Sequence, residues 1–96
     1  MSPLDLIHEL VDNLTLDDIE LLNNLTGHEA LSRFSAKPRQ EILTELKLSE
    51  ASIRKSIIRL EAMSFIKVHV KDRKQVLHLT LHGQMAIHTI FERGNV

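Results

Sequence analysis

The residues of this sequence best suited to chemistry lie in one run, Ser49 to Ser64, in which Ala51, Ser52, Lys55 and Arg59 recur at helical spacing. With Ile53 at the centre of a buried face and about 100° per residue, Ile57 and Leu60 fall beside it while those four point away. The resulting outer face is small, polar and basic. Such a face fits the DNA major groove, where Arg and Lys donate to guanine, Ser donates or accepts, and Ala permits close approach. Arg54, at the edge of this face, is placed to meet phosphate. A solvated helix face would use the same residue types, and the helix alone does not separate the two readings.

Other candidate chemistries are poorly supported. Six histidines invite a metal or catalytic reading, above all His69 and His78 across a hairpin and the pair His78 and His82. Zinc sites need three or four ligands with supporting partners, and there is no Cys and no HExxH spacing, so no metal and no cofactor are expected. Gly-rich phosphate loops, a GxSxG elbow and paired catalytic carboxylates are all missing, which argues against an enzyme.

Charge supports the nucleic-acid reading once it is divided along the chain. The net charge is −1, yet residues 1–32 hold seven acids and no Lys or Arg, while residues 33–74 hold eleven Lys or Arg against five acids. A phosphate backbone responds to the local field of the docking face, so a basic middle beside an acidic first third is compatible with binding it. With three Phe and no Trp or Tyr, a reader of single strands that works by base stacking is disfavoured.

The elements that must position these residues follow from apolar spacing. Ninety-six residues at 43% hydrophobic content suit one domain with an aliphatic core. Pro3 can open a first helix with Leu4, Ile7, Leu10, Val11 and Leu14 on one face. Thr15 can cap a second, with Asp17 and Asp18 at its positive end, a stripe of Leu16, Ile19, Leu22 and Leu25, and Gly27 as its stop. Residues 28–34 stay undecided between a helical turn and an irregular connection. Pro38 suits the first position of a short helix ending near Lys47, and Ser49 can cap the next, a helix-turn-helix unit over 38–64. Ile66, Val68 and Val70 then alternate with Lys67, His69 and Lys71, and after the polar turn at Asp72 to Lys74 an extended pattern resumes, predicting a hairpin over 66–79. Leu81, Met85, Ile87, Ile90 and Phe91 predict a last helix ended by Gly94.

At this point a resemblance adds to the reading. The run LKLSEASIRKSIIRLEAMSFIKV resembles the recognition helix and following strand of winged-helix regulators of the MarR-like and related bacterial groups. LTLHG, Leu79 to Gly83, resembles the step by which such proteins enter their last helix. Covering residues 38–83, the resemblance implies base contacts from Ser49, Ala51, Ser52, Lys55 and Arg59, phosphate contacts from Arg39 and Arg54, and wing contacts from Lys71, Arg73 and Lys74. The sequence departs from the family pattern at Leu43, where a small residue is usual, and at Lys47 and Ser64, where glycine is usual.

The expectation is therefore a mainly α, single winged helix-turn-helix domain over 1–96, with a two-stranded antiparallel wing and flanking helices. Residues 1–14 and 80–93 are expected to be dimerisation helices, giving a homodimer that binds palindromic or repeated sites in double-stranded DNA. A transcriptional repressor is the first reading. A plasmid or phage segregation or replication protein would use the same surface, and a winged-helix module for protein contact is the rival. Without a signal peptide or a membrane-length apolar run, the protein is expected in the cytoplasm, on the nucleoid when bound.

Overall fold

In the computed structural model, residues 3–93 are described, with side chains from Asp5 onward. The Leu4 side chain and the stop at Gly94 thus lie outside the described residues. The elements run α1 (Pro3–Asp12), α2 (Leu16–Gly27), β1 (Lys37–Pro38), α3 (Arg39–Leu46), α4 (Glu50–Ala62), β2 (Ile66–Lys71), β3 (Lys74–Leu79) and α5 (Leu81–Glu92). This is the mainly α winged-helix arrangement expected, with one added strand.

The core is aliphatic around a single ring. Leu21, Leu22 and Leu25 from α2, Ile42 from α3, Ile53 and Leu60 from α4, and Leu77 from β3 are fully buried around Phe65. Ile53, Ile57 and Leu60 thus form the inner face of α4 as their spacing requires. Helix α1 lies on α5, joined by Arg93, whose guanidinium meets Asp12 Oδ1 at 2.6 Å and the His8 carbonyl at 3.2 Å.

The sheet has three strands in the order β1-β3-β2, all antiparallel, where the sequence pointed to two. Lys37 pairs with Leu77 and Pro38 with Val76. Pro38 is accordingly not the first helical residue but the N-cap of α3, with φ −61° and ψ 136°. Its ring fixes φ at a value shared by helix and extended chain, so ψ decided the outcome. A proline on an edge strand sacrifices no ladder bond that a central strand would need. The β2–β3 ladder pairs Ile66 with Leu79 through to Lys71 with Lys74, which narrows the turn to Asp72 and Arg73. Both have positive φ, 51° and 66°, as a type I′ connection requires, although neither is glycine.

The departures at Lys47 and Ser64 have the backbone that glycine would favour. Lys47 ends α3 in the left-handed region at φ 57° and ψ 37°, and Ser64 follows α4 with φ 63°. Each costs about 1 kcal/mol relative to glycine. The glycine of the LTLHG step, Gly83, is there for a steric reason. A Cβ on Gly83 would stand 2.0 Å from the Phe65 carbonyl oxygen, because α5 begins directly on that carbonyl. Thr80 caps α5 by accepting from Gly83 N at 3.0 Å, donates its hydroxyl to the Ser64 carbonyl, and its amide binds the Phe65 carbonyl at 3.0 Å. The LTLHG step therefore ties the end of α4 to the start of α5.

Candidate nucleic-acid interface

A three-residue turn, Lys47 to Ser49, sets α4 against α3. Ser49 caps α4: its Oγ accepts from Ser52 N at 3.1 Å and donates to Ser52 Oγ at 2.9 Å. The two expected serine contacts are thus engaged with each other at the mouth of the helix. Beyond them Ala51, Arg54 and Lys55 are exposed, and so is Ile58 at 61%. Ile58 was not anticipated, because an apolar residue on the outer face disturbs the periodicity from which that face was read. With about 100° per residue it lies between Arg54 and Ala51 around the helix, near the middle of the outward surface.

Arg59 is placed differently from expectation. Its Nε and Nη2 donate to Asp18 Oδ2 and Oδ1 of α2 at 2.7 and 2.9 Å, a two-pronged grip on a carboxylate that is fully buried. Asp18 Oδ2 also accepts from Thr15 N at 3.0 Å, and Thr15 Oγ1 returns the bond to Asp18 N at 3.2 Å, a reciprocal capping box. Burial pushes the Asp18 carboxyl up, but the Arg59 guanidinium, the Thr15 amide and the neighbouring Ser56 hydroxyl outweigh it and hold the group below its ordinary value. Asp18 in turn raises Arg59 above its ordinary value. Arg59 was expected to contact bases; here its guanidinium braces α4 against α2, with the side chain 36% exposed.

The phosphate and wing candidates surround the opposite edge. Arg39, Arg54, Ile57, Ile58, Glu61, Val68 and Gln75 line a cleft of about 440 Å³ between α4 and the hairpin. A neighbouring cleft of about 330 Å³ is lined by Pro38, Arg39, Gln40, Lys74 and Gln75. Arg39 therefore touches both, although its Nη2 is held by Glu50 Oε2 at 2.7 Å. Among the described residues Arg54, Lys55, Lys71, Arg73 and Lys74 form no ion pair, so their charge is available to a partner.

The histidines take other roles. His69 and His78 stack with ring centroids 5.0 Å apart and planes 9° from parallel, and His78 Nδ1 meets the Leu79 carbonyl at 2.9 Å. Burial, with the nearby His78, Arg33 and Lys67, holds His69 below its ordinary value. Among the described residues one group brings metal-type ligand atoms within 4.8 Å of each other: His28, Glu41 and Glu45, all exposed. Glu45 is bound there by the Asn24 amide at 3.2 Å and His28 at 2.8 Å, and Glu41 by Lys37 at 2.7 Å. No helix among the described residues is long and apolar enough to cross a membrane.

No protein-family model matches the chain. The DNA-binding protein TubR of Priestia megaterium (strain ATCC 12872 / QMB1551) is 33% identical over 90 residues, which cover 94% of this chain and 89% of that one. The structure of TubR from Bacillus megaterium pBM400 superposes with a TM-score of 0.86 at 33% identity, covering 91% of this chain and 97% of that one. The fold is shared more widely. The crystal structure of MarR gives a TM-score of 0.73 at 22% identity over 90% of this chain and 59% of that one. A Staphylococcus aureus MepR–DNA complex gives 0.73 at 19% over 92% and 69%. With a winged-helix frame shared with TubR and a third of its residues identical across nearly the whole of both chains, this protein belongs to the TubR family of DNA-binding proteins.

Proposed function

We propose that the chain is a sequence-specific double-stranded DNA-binding protein in which α4 enters the major groove and the β2–β3 wing lies along the adjacent backbone and minor groove. The observation that carries this is a set of unpaired cations, Arg54 and Lys55 on α4 and Lys71, Arg73 and Lys74 on the wing, with Arg54 and Lys74 lining two clefts that share Arg39 and Gln75. Lys55 donates to guanine acceptors, Ala51 lets the helix approach, and Ile58 supplies an apolar contact suited to a thymine methyl. Ser49 and Ser52 offer hydroxyls at the helix mouth. Arg39 and Arg54 hold phosphates on either side of the cleft, which fixes register without reading sequence.

The assembly is a homodimer acting in the cytoplasm on the nucleoid, at palindromic or repeated sites. Its support is the apolar outer side of the α1–α2–α5 end, where Leu16 is 70% and Phe91 43% exposed beside a groove of about 440 Å³ that also takes in Ile19, Ile87 and Ile90. Two-fold symmetry then presents two reading helices to the duplex. A repressor at an operator and a segregation protein on repeated sites would use this surface alike.

Selection from random duplexes tests the reading: a motif is enriched, and Lys55→Ala loses about 1–3 kcal/mol on that motif and little on random DNA. Lys74→Ala weakens all sequences alike and lowers the slope of log affinity against log salt by about 1. No enriched motif, or equal losses for both variants on both DNAs, would overturn it and favour a protein-binding role.

A further inference from the structure

Phe34 is 94% exposed, whereas Phe65 is fully buried and Phe91 is about half covered. Its loop is nevertheless ordered by its own hydroxyls. Ser35 Oγ accepts from the Leu31 and Ser32 amides at 3.2 and 3.3 Å, and Ser32 Oγ accepts from the Phe34 amide at 3.3 Å. The loop is anchored at its start by Leu79 N donating to the Ala30 carbonyl at 2.7 Å, and at its end by the Lys37–Leu77 pairing. The ring is thus held out into solvent by a built loop, which loses apolar burial with no gain inside the protein.

Its surroundings define the partner. Phe34 and Arg33 form one wall of a cleft of about 310 Å³ whose other wall is the wing hairpin, with His69, Val70 and Lys71 of β2 and Val76 of β3. Val70 is 73% exposed and, with Lys71, immediately precedes the Asp72–Arg73 turn. The cleft is therefore continuous with the wing surface to which a DNA contact has been assigned. Arg33 and Lys71 line it, Lys67 acts on the charge of His69 in its wall, and Arg73 follows in the hairpin turn, with Asp72 the carboxylate nearest in sequence on the hairpin. A partner that is anionic and also offers apolar surface fits both properties. The minor-groove wall of a duplex is such a surface, with deoxyribose faces between phosphates, and apolar wedges flanked by Arg or Lys are a known means of gripping it.

We propose that the Arg33–Phe34 loop is a second DNA contact beside the wing, in which the Phe34 ring packs against the minor-groove wall flanking the major-groove site and Arg33 and Lys71 neutralise its phosphates. This rests on the DNA-binding reading above and extends it to a segment outside the helix-turn-helix and hairpin.

The test uses the full chain on a selected site, either with about ten base pairs of flank on the wing side or cut off at the wing, together with hydroxyl-radical footprinting. Phe34→Ala is expected to lose about tenfold in affinity on the long duplex and to match the parent on the short one, with protection of the flanking minor groove lost. Phe34→Leu retains part of the affinity. Arg33→Ala lowers the salt slope by about 0.9 on the long duplex, as loss of one phosphate contact should. Equal binding and equal footprints for Phe34→Ala and the parent on both duplexes would overturn the contact while leaving the DNA-binding reading intact. A Phe34→Ala protein that sediments as a smaller species without DNA, and loses affinity equally on both duplexes, would assign the ring to a protein interface and also overturn it. Parent protein that binds no duplex selectively would overturn both readings.

Discussion

Replacing Arg59 by Met isolates what its grip on Asp18 contributes. Two charge-assisted hydrogen bonds at 2.7 and 2.9 Å are lost, and the Asp18 carboxylate is left with no accessible surface and only the Thr15 amide and the Ser56 hydroxyl beside it. Removing one partner of a fully buried pair costs about 3–5 kcal/mol. Because the Arg59 side chain is 36% exposed, solvent already screens part of the attraction, so a loss of about 3 kcal/mol is expected at neutral pH. The reverse change, Asp18→Asn, leaves a cation that can turn towards water and should cost less. The pH dependence distinguishes these losses from a packing defect. In the parent, Asp18 lies below its unfolded value of 3.8, so the stabilisation is present above that value and is lost as pH falls through the folded one. In Arg59→Met the guanidinium no longer offsets burial, so the folded value moves up from that of the parent and less stability is lost on acidification. Urea unfolding at pH 7 and near pH 3 measures both slopes, and the gap between parent and variant should narrow towards acid. Loss of stability below about 1 kcal/mol at pH 7, together with altered preference at one base pair of the selected site, would refute the bracing role and return Arg59 to the reading face.

Other substitutions probe separate parts of the structure. Gly83→Ala sets a methyl group 2.0 Å from the Phe65 carbonyl and should cost about 1–3 kcal/mol, read as a lowered midpoint in thermal unfolding. Lys47→Gly relieves the left-handed turn and should raise stability by about 0.5–1 kcal/mol with little change on the DNA surface, a gain checked by the same melt. Glu50→Gln releases Arg39 from its 2.7 Å pair and removes a negative charge from the mouth of α4. Titrations on selected and random duplexes should therefore show tighter binding to both, by a similar factor.

The parts of the fold that were legible in sequence are those in which many residues repeat one constraint. Ile53, Ile57 and Leu60 mark the inner face of α4 against one buried wall, and the alternation from Ile66 to Lys71 marks β2 although only Ile66 of its apolar residues is buried. The strand Lys37–Pro38 carries no such repetition: two residues have no period, and proline's φ fits a helix as well as a strand. The ion pair of Arg59 was not legible because its partner lies 41 residues away in another helix. Asp18 was recognised as a residue for the positive end of α2, which it is, and that assignment concealed its second partner. Ile58 was missed for the opposite reason, being the wrong polarity for the face it occupies. The residues unaffected by such long-range pairing, Ala51, Arg54 and Lys55, stand on the surface where helical geometry alone put them.

The carboxylate of Asp18 serves two helices at once, capping α2 through Thr15 and gripping α4 through Arg59. The reading helix is consequently not a portable cassette. A relative's α4 transplanted into this frame without an arginine at position 59 would strand a buried negative charge. An α4 moved from this frame to one lacking Asp18 would carry an arginine without the carboxylate that braces it. Across diverging copies of this gene, positions 18 and 59 should therefore be exchanged as a pair, and reprogramming its DNA preference by design should begin by holding both fixed.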